Sequence, residues 1–135
     1  IKSAINENLK VIFCVGEKLS EKKKNLTLKI LKKQLIKGLY RIKNFEKIII
    51  TYEPVWSIGT GIVPKNKELK KNIEYIKSVL DVLTNSRKMK ILYGGSVNPK
   101  NVRKLTELSE IDGFLVGGSS LNANKFIDII KKSII

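Results

Sequence analysis

Histidine is absent from this chain of 135 residues, and cysteine, methionine and tryptophan occur once each. The lone Cys14 rules out an internal disulfide and suits a reducing compartment. No apolar run approaches the roughly 20 residues that crossing a bilayer requires. The polar start Ile1-Lys2-Ser3-Ala4 carries no signal-peptide pattern. It also lacks an initiator methionine, so the chain is expected to begin downstream of the start of its gene. These absences together lead us to expect a soluble, cytoplasmic protein without membrane association. Acidic residues are scarce too: 12 stand against 27 basic ones, for a net charge of +15. Between Lys18 and Lys47 there are 11 basic residues and only Glu21 and Glu46. Such an excess invites a nucleic-acid reading. However, 24 of the 27 basic residues are lysine, few aromatics are interleaved, and no base-reading motif is present. Lysine on solvated helix faces explains the charge, in keeping with a genome rich in Lys, Ile and Asn codons. No nucleic-acid partner is expected, and mild attraction for anionic small molecules is a by-product.

With 42% hydrophobic and 29% charged residues the composition is that of one globular domain. Short apolar runs at about residues 10–15, 47–52, 89–93 and 113–116 read as buried parallel strands. A helix is expected over about 19–39, with Leu28, Leu31, Leu35 and Leu39 on one face and Lys29, Lys33 and Lys37 opposite. A second, over about 67–83, turns Leu69, Ile73, Ile76 and Leu80 inward. Asn98 is a good N-cap with Pro99 at the first helical position, opening a short helix to about Leu108. A last helix carries Phe126, Ile129 and Ile130. Four strand-then-helix units of about 34 residues follow one another with no linker. They imply an α/β fold with a parallel sheet and right-handed crossovers. Four strands do not close a barrel, and an open four-stranded sheet leaves two bare edges and an uncovered apolar face. The chain reads as half of something.

Every chemically special residue stands just after a strand, the face of α/β sheets and barrels where ligands bind. Glu17 follows the first strand. After the second comes Tyr52-Glu53-Pro54-Val55-Trp56-Ser57-Ile58-Gly59-Thr60-Gly61: a carboxylate at a strand end, a rigid proline, one large aromatic, and a flexible tip. These are the parts of a catalytic base with a lid. Gly94-Gly95 and Gly117-Gly118 break the third and fourth strands, where glycine lets the backbone approach an anion and helix-start N–H groups attract it. A barrel's phosphate site commonly uses the last two such loops and a short extra helix, which Ser119-Ser120-Leu121 can supply.

The Tyr52–Gly61 stretch, Tyr93-Gly94-Gly95-Ser96-Val97, Val116-Gly117-Gly118-Ser119-Ser120-Leu121 and Cys14-Val15-Gly16-Glu17 resemble triose-phosphate isomerase in order and spacing, over the whole chain. The resemblance implies a (β/α)8 TIM barrel, of which residues 1–135 are the C-terminal half, strands five to eight of a single domain. Glu53 would be the base that moves a proton between two carbons of a triose phosphate through an enediolate. Residues from Pro54 to about Pro64, including Val55, Trp56, Thr60 and Gly61, would form the lid. Backbone N–H groups of Gly59, Ser96, Gly117 and Gly118 would grip the phosphate. Tyr93 and Ser96 side chains would hold the lid shut, and Trp56 would switch partners between Tyr52 and Glu17. Cys14 is expected to be a small buried packing residue, since no base adjoins it.

The chain departs from the family's pattern in two ways. Ile62-Val63-Pro64 stands where the family has a small or basic run, which bears on lid stiffness. More consequentially, no histidine is present, so the carbonyl-polarising electrophile is missing, as are the family's Asn-x-Lys and Ser-x-Glu-Arg motifs. The expectation is therefore a fragment, inactive alone, of a homodimeric enzyme with a small phosphorylated triose as substrate and no metal or organic cofactor. A non-catalytic phosphate-binding half-barrel is the alternative.

Overall fold

The computed structural model describes residues 1–85 and 88–134. Strands β1 (Val11–Val15), β2 (Ile48–Tyr52), β3 (Ile91–Tyr93) and β4 (Gly113–Phe114) form one sheet in chain order. All pairings are parallel, with Val11 opposite Ile48, Ile50 opposite Ile91 and Leu92 opposite Gly113. Helices α1 (Lys2–Asn6), α2 (Leu19–Lys23), α3 (Thr27–Gly38), α4 (Asn66–Thr84), α5 (Val102–Thr106) and α6 (Ala123–Ser133) are joined by single 3₁₀ turns at Phe45–Lys47 and Gly118–Leu121. This is the strand-then-helix order of half a (β/α)8 barrel. The second of those turns is the short extra helix expected at Ser119-Ser120-Leu121.

The period of two in the strands separates the sheet's faces. Ile48, Ile50, Tyr52, Ile91 and Tyr93 are buried and pack with Leu31 and Leu35 of α3 and Leu69, Ile73 and Ile76 of α4. Burying each such side chain is worth roughly 1.5–3 kcal/mol, so this layer holds the fold together. The other face is largely bare: Ile12 is 48% exposed, and Ile49 and Leu92 are only half-buried. A parallel strand normally has both faces covered. Here the alternation buries one.

The apolar stripes of α3 and α4 fall as the spacing predicts, but the helix expected over 19–39 is broken. Asn25 takes a left-handed conformation (φ 56°), which asparagine tolerates, and the Leu26 N–H turns back to the Glu21 carbonyl at 3.0 Å. That closure ends α2 and lets α3 start afresh against the sheet. The fourth strand is also shorter than expected, two residues long, although the Leu115 N–H still bonds the Tyr93 carbonyl at 3.0 Å. Asn98 organises a turn instead of starting the helix directly. Its Oδ1 accepts the Lys100 N–H at 2.9 Å, and α5 begins only at Val102. In α6 Ile129 is buried, whereas Phe126 and Ile130 stand 38% and 42% exposed. Helix α1 lies in a stretch where no element is expected from the sequence.

Candidate active site

Glu17, Glu53, the Gly94-Gly95 loop and the Gly117-Gly118 loop all lie just beyond the C-terminal ends of successive strands. The ladder continues into these loops. The Glu53 N–H bonds the Val15 carbonyl at 2.8 Å, Val55 N–H bonds Glu17 carbonyl at 3.0 Å, and Gly94 N–H bonds Tyr52 carbonyl at 2.9 Å. Loop positions are thereby tied to the rigid sheet, which is how a site holds its geometry. Glu53 is half-buried on the bare face. Its Oε1 lies close to Gly94, 3.5 Å from where a Cβ on that glycine would stand. The carboxylate therefore looks across the floor made by the third strand's glycine loop, on the side where the sheet offers space.

The loop after Glu53 begins at Pro54, and its tip carries positive-φ backbone at Gly59 (70°) and Gly61 (78°), a conformation glycine adopts without strain. Its neck is closed by Ser57. That hydroxyl donates to the Ile62 carbonyl at 2.5 Å, so its single proton is used. It must then accept both the Tyr93 hydroxyl and the Ser96 N–H, each at 3.1 Å. Thr60 braces the same turn, with Oγ1 donating to the Ser57 carbonyl at 3.0 Å and accepting the Ile62 N–H at 3.1 Å. The structure thus joins Tyr93 to this loop through its hydroxyl and Ser96 through its backbone N–H. In this arrangement the Ser96 N–H faces Ser57, and Gly117 and Gly118 are exposed, with open space where a Cβ would stand on either.

Trp56, in the same loop, is fixed by Glu17. Its Nε1–H donates to Glu17 Oε1 at 2.7 Å, and the Tyr52 hydroxyl donates to Glu17 Oε2 at 3.1 Å. Glu17 itself is fully buried, so these donors are what make burial of its carboxylate tolerable. Lys22 of α2 lies 3.9 Å above the Trp56 ring centroid and ion-pairs with Glu68 of α4. Three residues without an assigned role in the sequence reading turn out to shape the site. Ser57 closes the neck of that loop, Gln34 clasps both the N–H and the carbonyl of Gly16 at 2.9 and 3.0 Å, and Asn72 donates to the Tyr52 hydroxyl at 2.9 Å. The available signal was a polar residue set inside an apolar helical stripe, as both Gln34 and Asn72 are.

Cys14 corrects an expectation. It is exposed, not buried, because it shares the bare face of β1 with Ile12 while Val15 points into the helix layer. Its pKa is nevertheless pushed up to about 11, first by desolvation of the part set against the sheet and then by the neighbouring Glu53 carboxylate. An exposed thiol with so little thiolate should alkylate slowly, roughly 100-fold slower at neutral pH than an ordinary cysteine. Iodoacetamide labelling of the chain should climb with pH towards a midpoint near 11, and Glu53→Gln should bring that midpoint down. A midpoint in the ordinary thiol range would contradict the Cys14–Glu53 proximity. Because the folded thiol holds its proton more tightly than the unfolded one, the same shift lowers stability as pH rises from about 9 to about 11.

A sequence model described as triosephosphate isomerase matches residues 1–133. Among curated proteins, the chain is 42% identical over 133 residues to the triosephosphate isomerase of Thermodesulfovibrio yellowstonii, covering 97% of the chain and 54% of that relative. It is 43% identical over 136 residues to that of Dictyoglomus thermophilum (97% and 55% covered). To that of Mycoplasma mobile it is 44% identical over 128 residues (95% and 51% covered). The chain spans about half the length of the curated relatives it matches.

Proposed function

Since the chain belongs to the triosephosphate isomerase family, we propose that it is the C-terminal half of a barrel enzyme interconverting dihydroxyacetone phosphate and D-glyceraldehyde 3-phosphate. The observation that carries this reading is the placement of Glu53 at a strand end, beside the Gly94 floor and directly before a loop held at Ser57 and Trp56, which we read as the lid. In that role the Glu53 carboxylate takes a proton from one carbon of the triose. The C–H electrons form the carbon–carbon double bond of an enediolate as the carbonyl electrons move onto its oxygen. The proton-bearing carboxyl then returns a proton to the adjacent carbon while a proton passes between the two oxygens. The N–H groups of Gly117 and Gly118 hold the phosphate. Those of Gly59 and Ser96 join them when the lid moves and Ser57 releases Ser96. The chain has no histidine, so the group that polarises the carbonyl comes from the other half of the barrel. No metal or organic cofactor enters this chemistry.

The same reading makes the complete enzyme a cytoplasmic homodimer. Among the described residues no helix is long and apolar enough to cross a membrane.

The test is complementation. The chain should be co-expressed with the half of the Thermodesulfovibrio yellowstonii relative that it does not match. Isomerase activity is expected in the assembly and negligible activity in either piece alone, because removing one member of a catalytic set forfeits most of its effect. A folded assembly that binds inorganic phosphate yet never isomerises would favour the non-catalytic half-barrel.

A further inference from the structure

Asn72 interrupts the buried stripe of α4 between Leu69, Ile73 and Ile76, and it is itself only 4% exposed. An apolar residue would satisfy packing at this position, and burying an amide is costly unless it is hydrogen-bonded. Its Nδ2 donates to the Tyr52 hydroxyl at 2.9 Å. A phenolic hydroxyl has one proton and its oxygen can accept. With the oxygen engaged by Asn72, the Tyr52 proton goes to Glu17, at 3.1 Å from Oε2 and 3.4 Å from Oε1. Glu17 Oε1 in turn receives the Trp56 indole N–H at 2.7 Å. The order runs Asn72 to Tyr52 to Glu17, met from the other side by the base of the lid.

We propose that Asn72 is a positioning residue for the lid. By holding the Tyr52 oxygen it commits the tyrosine proton to Glu17 and removes Tyr52 as a rival acceptor, so that Trp56 stays on Glu17. The effect is transmitted from an outer helix through a buried hydroxyl to a loop, and such connected donors reinforce one another. The inference rests on the reading of residues 54–64 as a lid. It does not depend on which reaction the lid covers.

Trp56 is the only tryptophan, so its indole N–H gives a single reporter. The ¹⁵N-labelled chain, assembled with the unlabelled half of the Thermodesulfovibrio yellowstonii relative and without substrate, should show one indole cross-peak far downfield. Asn72→Leu should move that peak upfield and broaden it, as the freed Tyr52 oxygen becomes a second acceptor. In a Tyr52→Phe background the same substitution should add nothing. A folded Asn72→Leu assembly with the peak at its original position would overturn the proposal. So would a displacement that persists undiminished with Tyr52→Phe, since that would be a packing effect. Should Asn72→Leu fail to fold, the near-isosteric Asn72→Asp, which accepts where asparagine donates, is read by the same two criteria. The peak is recorded without turnover, so an inactive assembly leaves the result interpretable and a negative result leaves the reaction untouched.

Discussion

Replacing Glu53 by glutamine is expected to lower kcat of the complemented enzyme by roughly 10²–10⁴, the span a positioned general base contributes. At about 1.36 kcal/mol per decade, that is a loss of about 2.7–5.4 kcal/mol of transition-state stabilisation. Glutamine keeps the shape and the half-buried position but cannot take up a proton. On the proposed reading the phosphate is held by backbone N–H groups and not by the Glu53 side chain, so KM should change little, and a kcat effect without a KM effect marks an interaction made only in the transition state. Glu53→Asp makes the complementary case. It keeps the charge but draws the carboxylate back from the Gly94 floor, and a misplacement on the order of 1 Å costs about 10²-fold. Initial rates measured in both directions decide the matter. A Glu53→Gln assembly retaining a tenth or more of the activity would remove Glu53 from the chemistry.

The second large effect is expected at Gly16, which makes no contact with substrate in this reading. A Cβ there would stand 1.9 Å from the Glu53 carbonyl oxygen, 2.5 Å from its carbon and 3.0 Å from the Pro54 nitrogen. All three are backbone atoms, so no side chain can swing aside to relieve the clash. Gln34 also pins Gly16 through two hydrogen bonds, which prevents the β1 loop from yielding. Gly16→Ala must therefore push the β2 end, and Glu53 with it, away from its present place. We expect overpacking to destabilise by about 1–3 kcal/mol, against a total that is usually about 5–15 kcal/mol. Activity should fall by about 10² or more from displacement of the base. Urea denaturation and initial rates together read both effects. Wild-type stability with full activity would show that the two strand ends do not approach as closely as described.

Much of this molecule was legible in its residues, and what escaped did so for physical reasons. The α4 stripe of Leu69, Ile73, Ile76 and Leu80 was readable because a 3.6-residue period depends only on local geometry. The break at Asn25 was not, since a left-handed asparagine competes with a continuous lysine-rich helix and only docking against the sheet decides between them. Cys14 was misjudged because an apolar parallel strand suggests burial on both faces, and the sequence of half a barrel carries the same pattern as the whole. Ser57, Gln34 and Asn72 act across separations of 5 to 39 residues. Such spacings leave no periodic trace.

The sequence by itself determined the four strand-then-helix units, the strand-end position of Glu53 and the glycine-tipped loop that follows it, because turn chemistry and hydrophobic period are local properties. Its lack of histidine is what makes the proposed reading look to the other half of the barrel for the carbonyl-polarising group. Only the tertiary structure decided which groups face one another. It turned Glu53 towards the Gly94 floor, set Trp56 on Glu17 instead of Tyr52, engaged the Ser96 N–H with Ser57, and put Asn72 behind the Tyr52 hydroxyl. Hydrogen-bond partners are chosen by distance and angle to within a few tenths of an ångström. The packing of helices on a parallel sheet sets those distances, and no stretch of sequence contains them.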